Sequence, residues 1–128
     1  MIVFIGGYFG TREDVLPIRK GLEAVGHTVV ARWLDETPVA TPEATHWGKL
    51  AVEDLLDVRA AQIFVLDTRT MTPRGGREVE LGVALERGMP VYIVGPQRNV
   101  YHYLARAVFA TVDDFLLFVQ GGGLGPRP

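Results

Sequence analysis

The segment Ala61-Gln62-Ile63-Phe64-Val65-Leu66-Asp67 constrains the fold more than any other part of the chain. It is too apolar and too rich in β-formers to be anything but a buried strand. Behind it comes Arg74-Gly75-Gly76-Arg77-Glu78-Val79-Glu80-Leu81-Gly82, and good helix formers then run to a stop at Gly88-Met89-Pro90. A strand buried on both faces and followed by a helix belongs in a parallel sheet covered on both sides. The rest of the chain repeats that alternation. Ile2 to Gly6 reads as a first strand, and Val15, Leu16, Ile18, Leu22 and Val25 then recur at helical spacing up to Gly26. His27 to Trp33 reads as a second strand, Leu34 to Thr45 as a polar loop, and Trp47 to Val58 as a helix. Pro90 to Gly95 gives strand four, Asn99 to Arg106 a short helix, Val108 to Ala110 a fifth strand and Val112 to Val119 a last helix. The expectation is an α/β three-layer sandwich, flavodoxin-like or Rossmann-like, with about five parallel strands in the order 2-1-3-4-5. On this reading residues 1–120 form one domain, and the glycine- and proline-rich tail 121–128 is mobile.

Composition removes several classes of function. With 13 basic against 15 acidic residues and no basic run, polymeric nucleic acid and anionic membrane are poor partners. The absence of cysteine excludes disulfides, thiolate metal sites and a cysteine nucleophile. No apolar run approaches the ~18 residues that a membrane span needs. Met1 to Gly6 lacks a basic leader, which makes the cytoplasm the default compartment. His27, His46 and His102 have no metal-ligand spacing. Gly6-Gly7 and Gly10 do not spell the dinucleotide fingerprint, and no phosphate-loop lysine motif is present.

Parallel sheets of this kind bind ligands beyond the carboxyl ends of their strands. Gly7 to Gly10, Asp67 to Gly76 and the loop after Gly95 converge there, so chemistry is sought among their residues. Gly75 and Gly76 let a ligand approach the backbone at a helix start rich in free N–H groups. Glu78 and Glu80 occupy the first turn, where carboxylates also suit the helix dipole, and periodicity does not separate them. Asp54 is the sharpest anomaly. Trp47, Leu50, Ala51, Leu55 and Val58 form an apolar stripe, and Asp54 falls on it, whereas Glu53 and Asp57 fall off it as solvated charges should. A carboxyl group on an apolar face is costly unless it is paired or serves a partly dry pocket. Asp67 ends the third strand and either meets a ligand or makes a turn with Thr68 and Thr70. Tyr8 can stack on a ring or donate its hydroxyl. Asn99 either caps the short helix or offers hydrogen bonds to a hydroxylated ligand. Trp33 and Trp47 belong to the core or to a pocket wall.

Several carboxyl groups, an aromatic loop and glycines at one sheet edge suit cleavage of a glycosidic bond. One carboxylate attacks the anomeric carbon and another group manages the leaving group's proton, with no metal or cofactor.

These pieces resemble the nucleoside 2-deoxyribosyltransferase family, including its relatives that hydrolyse deoxynucleoside monophosphates. The resemblance is carried by Val3-Phe4-Ile5-Gly6-Gly7, by Asp54 eight residues before Gln62, by the strand ending in Asp67, and by Gly75-Gly76 leading to Glu80-Leu81-Gly82. It implies that Glu80 is the nucleophile toward the sugar C1′ and that Asp54 contacts the base or nucleophile and assists proton transfer. It also places Gly7, Tyr8, Asp67, Gly75, Gly76 and Asn99 around a nucleoside or nucleotide substrate, Asn99 in the position of a family asparagine that reaches the sugar hydroxyls. Homo-oligomers are implied too. The chain departs from the family at Phe4, where many members carry a tyrosine that hydrogen-bonds the nucleophile. That departure favours the alternative, a non-catalytic nucleotide- or nucleoside-sensing domain.

Overall fold

The computed structural model describes residues 1–125. Five parallel strands form one sheet: β1 (Ile2–Gly6), β2 (Thr28–Val29), β3 (Ile63–Asp67), β4 (Val91–Val94) and β5 (Ala107–Phe109). Their order is β2-β1-β3-β4-β5, as the alternation of the sequence predicts. Val3 lies beside Ile63, and Phe64 beside Val91, so the three central strands are aligned at their carboxyl ends. Helices α1 (Leu16–Ala24) and α4 (Val112–Gln120) pack together, and α2 (Ala44–Ala60) packs with α3 (Gly76–Glu86).

Every residue of β3 and β4 is buried, because both faces of those strands are covered by helices. Each large aliphatic side chain so buried contributes roughly 1.5–3 kcal/mol. Phe4 of β1 stacks on Phe64 of β3 with ring centroids 5.5 Å apart, and neither is exposed.

Three local expectations are revised. The second strand is short, with one further ladder bond from Val30 N–H to the Val3 carbonyl. Past that point the Arg32 N–H goes to the Asp57 carboxylate and the Trp33 indole N–H to the Ile5 carbonyl, so the chain leaves the sheet edge as the turn Arg32–Asp35. Asp57 is not a solvated charge. It is 8% exposed and is held 3.0 Å from the Arg32 guanidinium. In the stretch expected to be a mobile tail, Gly121 to Gly125 turn back on α4 and seat Leu124 in the core, while residues 126–128 lie outside the described residues.

Candidate active site

A cleft of about 710 Å³ opens beyond the carboxyl ends of β1 and β3. Four segments build it: the turn after β1, the loop after β2, one face of α2, and the start of α3. Gly7 and Tyr8 come from the first, and Trp33 and Glu36 from the second. From α2 come His46, Trp47, Leu50 and Asp54, and from the last segment Arg74, Gly76, Arg77 and Glu80. The apolar stripe of α2 is thus a pocket wall as much as a core face, and Trp47 remains 53% exposed at its end. Gly7 packs closely against the Trp33 ring, from which a Cβ there would stand 3.3 Å. At Gly75 and Gly76 a Cβ would meet open space, so glycine supplies bare backbone at the helix start.

Asp54 and Glu80, far apart in sequence, line this one cleft because α2 packs against α3. Glu80 is 9% exposed. Burial, reinforced by the charges of Asp54 and Asp57, pushes its carboxyl up to about 8. Asp54 is raised to about 6, again by burial first and then by Asp57, Glu36 and Glu53, against a smaller opposing pull from Arg32. No cation compensates Glu80 among these influences. A carboxyl group kept for stability would be paired, whereas this one faces another acid in a partly dry pocket. Between about pH 6 and 8 the two groups together hold one proton.

Glu78 points elsewhere. The buried His102 ring accepts the Arg98 N–H at Nδ1 (3.0 Å), which leaves its hydrogen on Nε2, 2.9 Å from Glu78 Oε1. That bond ties the first turn of α3 to the loop after β4, and it separates the two glutamates that periodicity could not.

Three of the expected ligand residues are not on the cleft wall. Asp67 is 5% exposed, and its carboxylate is taken by the Arg69 backbone N–H at 3.0 Å and side chain at 2.9 Å, so it serves the turn. Asn99 caps the helical turn Val100–Leu104 by accepting from Tyr101 N–H at 3.0 Å and His102 N–H at 3.3 Å. Gly75, the cap of α3, is not on the wall although Arg74 and Gly76 on either side of it are. Phe4 is wholly buried against Phe64, while Tyr8 does reach the cleft.

Sequence reasoning passed over Glu36, which sits in a polar, proline-containing loop with no periodicity to mark it. Arg77, beside two glycines, is open in the sequence between serving a substrate phosphate and lying in solvent; it is 5% exposed and donates to the Asp67 and Thr70 carbonyls at 3.0 and 2.7 Å. Its Nε has no hydrogen-bond partner among the described residues, and burial lowers its pKa.

Comparison with solved structures places this architecture among known ones. A 2-deoxyribosyltransferase from the psychrotolerant bacterium Bacillus psychrosaccharolyticus superposes with a TM-score of 0.77, at 20% identity, over 91% of this chain and 90% of that one. The two share a fold. A conserved protein from Enterococcus faecalis V583 matches at a TM-score of 0.68, 14% identity and 94% and 98% coverage. A Clostridium botulinum CMP N-glycosidase matches at 0.60, again at 14% identity and 94% and 98% coverage. No family model matches the sequence, and no curated protein does. Among the described residues no helix is long and apolar enough to cross a membrane.

Proposed function

We propose that the chain cleaves the N-glycosidic bond of a (2′-deoxy)nucleoside or its monophosphate. Glu80 attacks C1′, the bond from C1′ to the base nitrogen breaks, and a glycosyl ester forms on the carboxylate. Asp54 delivers the proton that the departing base takes up. The sugar then passes to a second base or to water. The observation that carries this reading is a buried, uncompensated carboxyl group sharing a cleft with a second acid whose pKa is also raised. With Glu80 near 8 and Asp54 near 6 the pair's proton rests on Glu80, so attack proceeds from the arrangement with the proton on Asp54, which the positive character growing at C1′ favours. Fold kinship with a deoxyribosyltransferase and a CMP N-glycosidase supports the same chemistry.

The one-proton state of the pair is the competent one. Turnover is expected to rise through about pH 6, as the pair loses its first proton, and to fall above about pH 8, as it loses the second. The deciding experiment incubates the protein with deoxynucleosides and their 5′-monophosphates, with and without an acceptor base. Chromatography follows free base and new nucleoside. Base release that is lost in Glu80→Ala and kept in Glu78→Ala supports the reading; the reverse pattern overturns the assignment of the nucleophile. Burial of Phe4 in the core, where the family tyrosine would stand, favours the second reading, a nucleoside- or nucleotide-sensing domain. Tight binding without base release would mark it. Exposed Val52, Leu56 and Val79 on α2 and α3 fit a chain that associates with its own copies, which sedimentation would measure.

A further inference from the structure

Three carboxyl groups line the cleft, and the proposed reaction uses two of them. Glu36 is the third. Its backbone is anchored on both sides: the N–H donates to the Trp33 carbonyl at 3.4 Å, and the carbonyl accepts from the Arg12 guanidinium. Arg12 is itself seated over the Phe9 ring, 4.4 Å from its centroid. The loop therefore presents residue 36 at a defined place on the wall. Its carboxylate has no hydrogen bond or ion pair among the described residues, and its charge is felt at Asp54. Trp33, Trp47 and Tyr8 share the cleft with it and suit a flat heteroaromatic ring.

We infer that Glu36 selects the leaving base, favouring those that carry an exocyclic amino group over their oxo counterparts. The inference rests on the N-glycosidic reading and names the substrate class within it. A carboxylate accepts hydrogen bonds and cannot donate them. The exocyclic amino group of adenine or cytosine offers it N–H donors. The carbonyl of hypoxanthine or uracil in the same place sets lone pair against lone pair and leaves the carboxylate desolvated without a partner. The Tyr8 hydroxyl and the His46 ring can serve an oxo group elsewhere in the cleft, but neither relieves that repulsion.

Two matched pairs isolate the effect: deoxyadenosine against deoxyinosine, and deoxycytidine against deoxyuridine. Base release gives kcat/KM for each, and equilibrium dialysis with the Glu80→Ala protein gives binding without turnover. The amino member of each pair is expected to be preferred by ~10-fold or more. Glu36→Gln, whose amide can turn either a donor or an acceptor to the base, should bring the ratio to within about threefold by improving the oxo member. Glu36→Asp keeps the charge, draws it back from the base and should give an intermediate ratio. Equal treatment of the two members by the wild-type protein overturns the inference, as does a preference that survives Glu36→Gln. A binding preference that disappears in Glu36→Gln, with no base released from any substrate, would uphold base selection by Glu36 and sink the glycosidic reading.

Discussion

The two walls of the cleft are built in opposite ways. The wall made by the loop after β3 and the start of α3, backed by the loop after β4, is pinned by arginines that donate to backbone carbonyls. Arg77 holds Asp67 and Thr70, Arg98 holds Thr68 (2.7 Å) and Arg69 (3.1 Å), and Arg69 reaches across to Asp14 (2.8 Å). Gly95 lets these loops touch: its φ is +119°, and a Cβ there would stand 2.6 Å from Thr68 Oγ1. Across the cleft, Glu36 to Glu43 is tied at its start by Arg12 and is mostly exposed beyond that point. The rigid wall carries Glu80, and the loose one carries Glu36 and Val39. A nucleophile must be held to within a fraction of an ångström, whereas a wall that admits and releases a base needs room to move.

The largest expected effect comes from the rigid wall. On the proposed mechanism Glu80→Gln should lower turnover by ~10³-fold or more, since no neighbouring group would replace a covalent nucleophile. The same variant should be more stable than wild type at pH 8. The folded Glu80 carboxyl titrates near 8 against an ordinary 4.5, so between those values the unfolded chain has released a proton that the native state retains. Stability therefore falls as pH rises through that window, by up to ~4 kcal/mol for a shift of this size. Glutamine removes the slope. Urea unfolding at pH 5 and pH 8 measures it, and parallel curves for wild type and variant would show that Glu80 is neither buried nor perturbed.

Next in size is the arginine scaffold. Arg77→Met keeps the apolar stem and strands two carbonyl acceptors, which should cost about 2–3 kcal/mol. A lower kcat at nearly unchanged KM is expected, because α3 loses its register against β3. A rise in KM alone, with the thermal midpoint unmoved, would make Arg77 a ligand group and undo the contrast between the walls.

How much of this the sequence discloses follows the same division. The apolar run of Ile63 to Asp67 and the alternation around it are enough for strand order, because burial on both faces leaves few other solutions. Asp54 is visible as a charge on an apolar stripe, whereas the glycine-led helix start marks Glu78 and Glu80 alike and only the family resemblance singles out Glu80. Asp57 is misread by the same stripe argument, since its partner Arg32 lies 25 residues away and periodicity within one helix carries no news of it. Asp67 and Asn99 look like ligand groups because they occupy the binding edge. Their carboxylate and amide are instead taken by N–H groups two or three residues on, a competition between local and ligand bonds that composition cannot rank. Glu36 leaves no trace at all, for its place on the wall depends on Arg12 and Trp33 folding around it.

The smallest effect should come from the loose wall. Val39→Ser lies in the exposed part of the loop, and residue 39 is 49% exposed, so unfolding free energy should change by less than ~0.5 kcal/mol. The residue nevertheless lines the cleft, and a hydroxyl there trades apolar contact with the base for a hydrated group. A KM raised a few-fold at unchanged kcat is the expected split, with matched thermal midpoints. If Val39→Ser destabilises as much as Arg77→Met, the loop is as firmly built as the wall it faces. Selection of the base would then come from a fixed surface and not from one that yields.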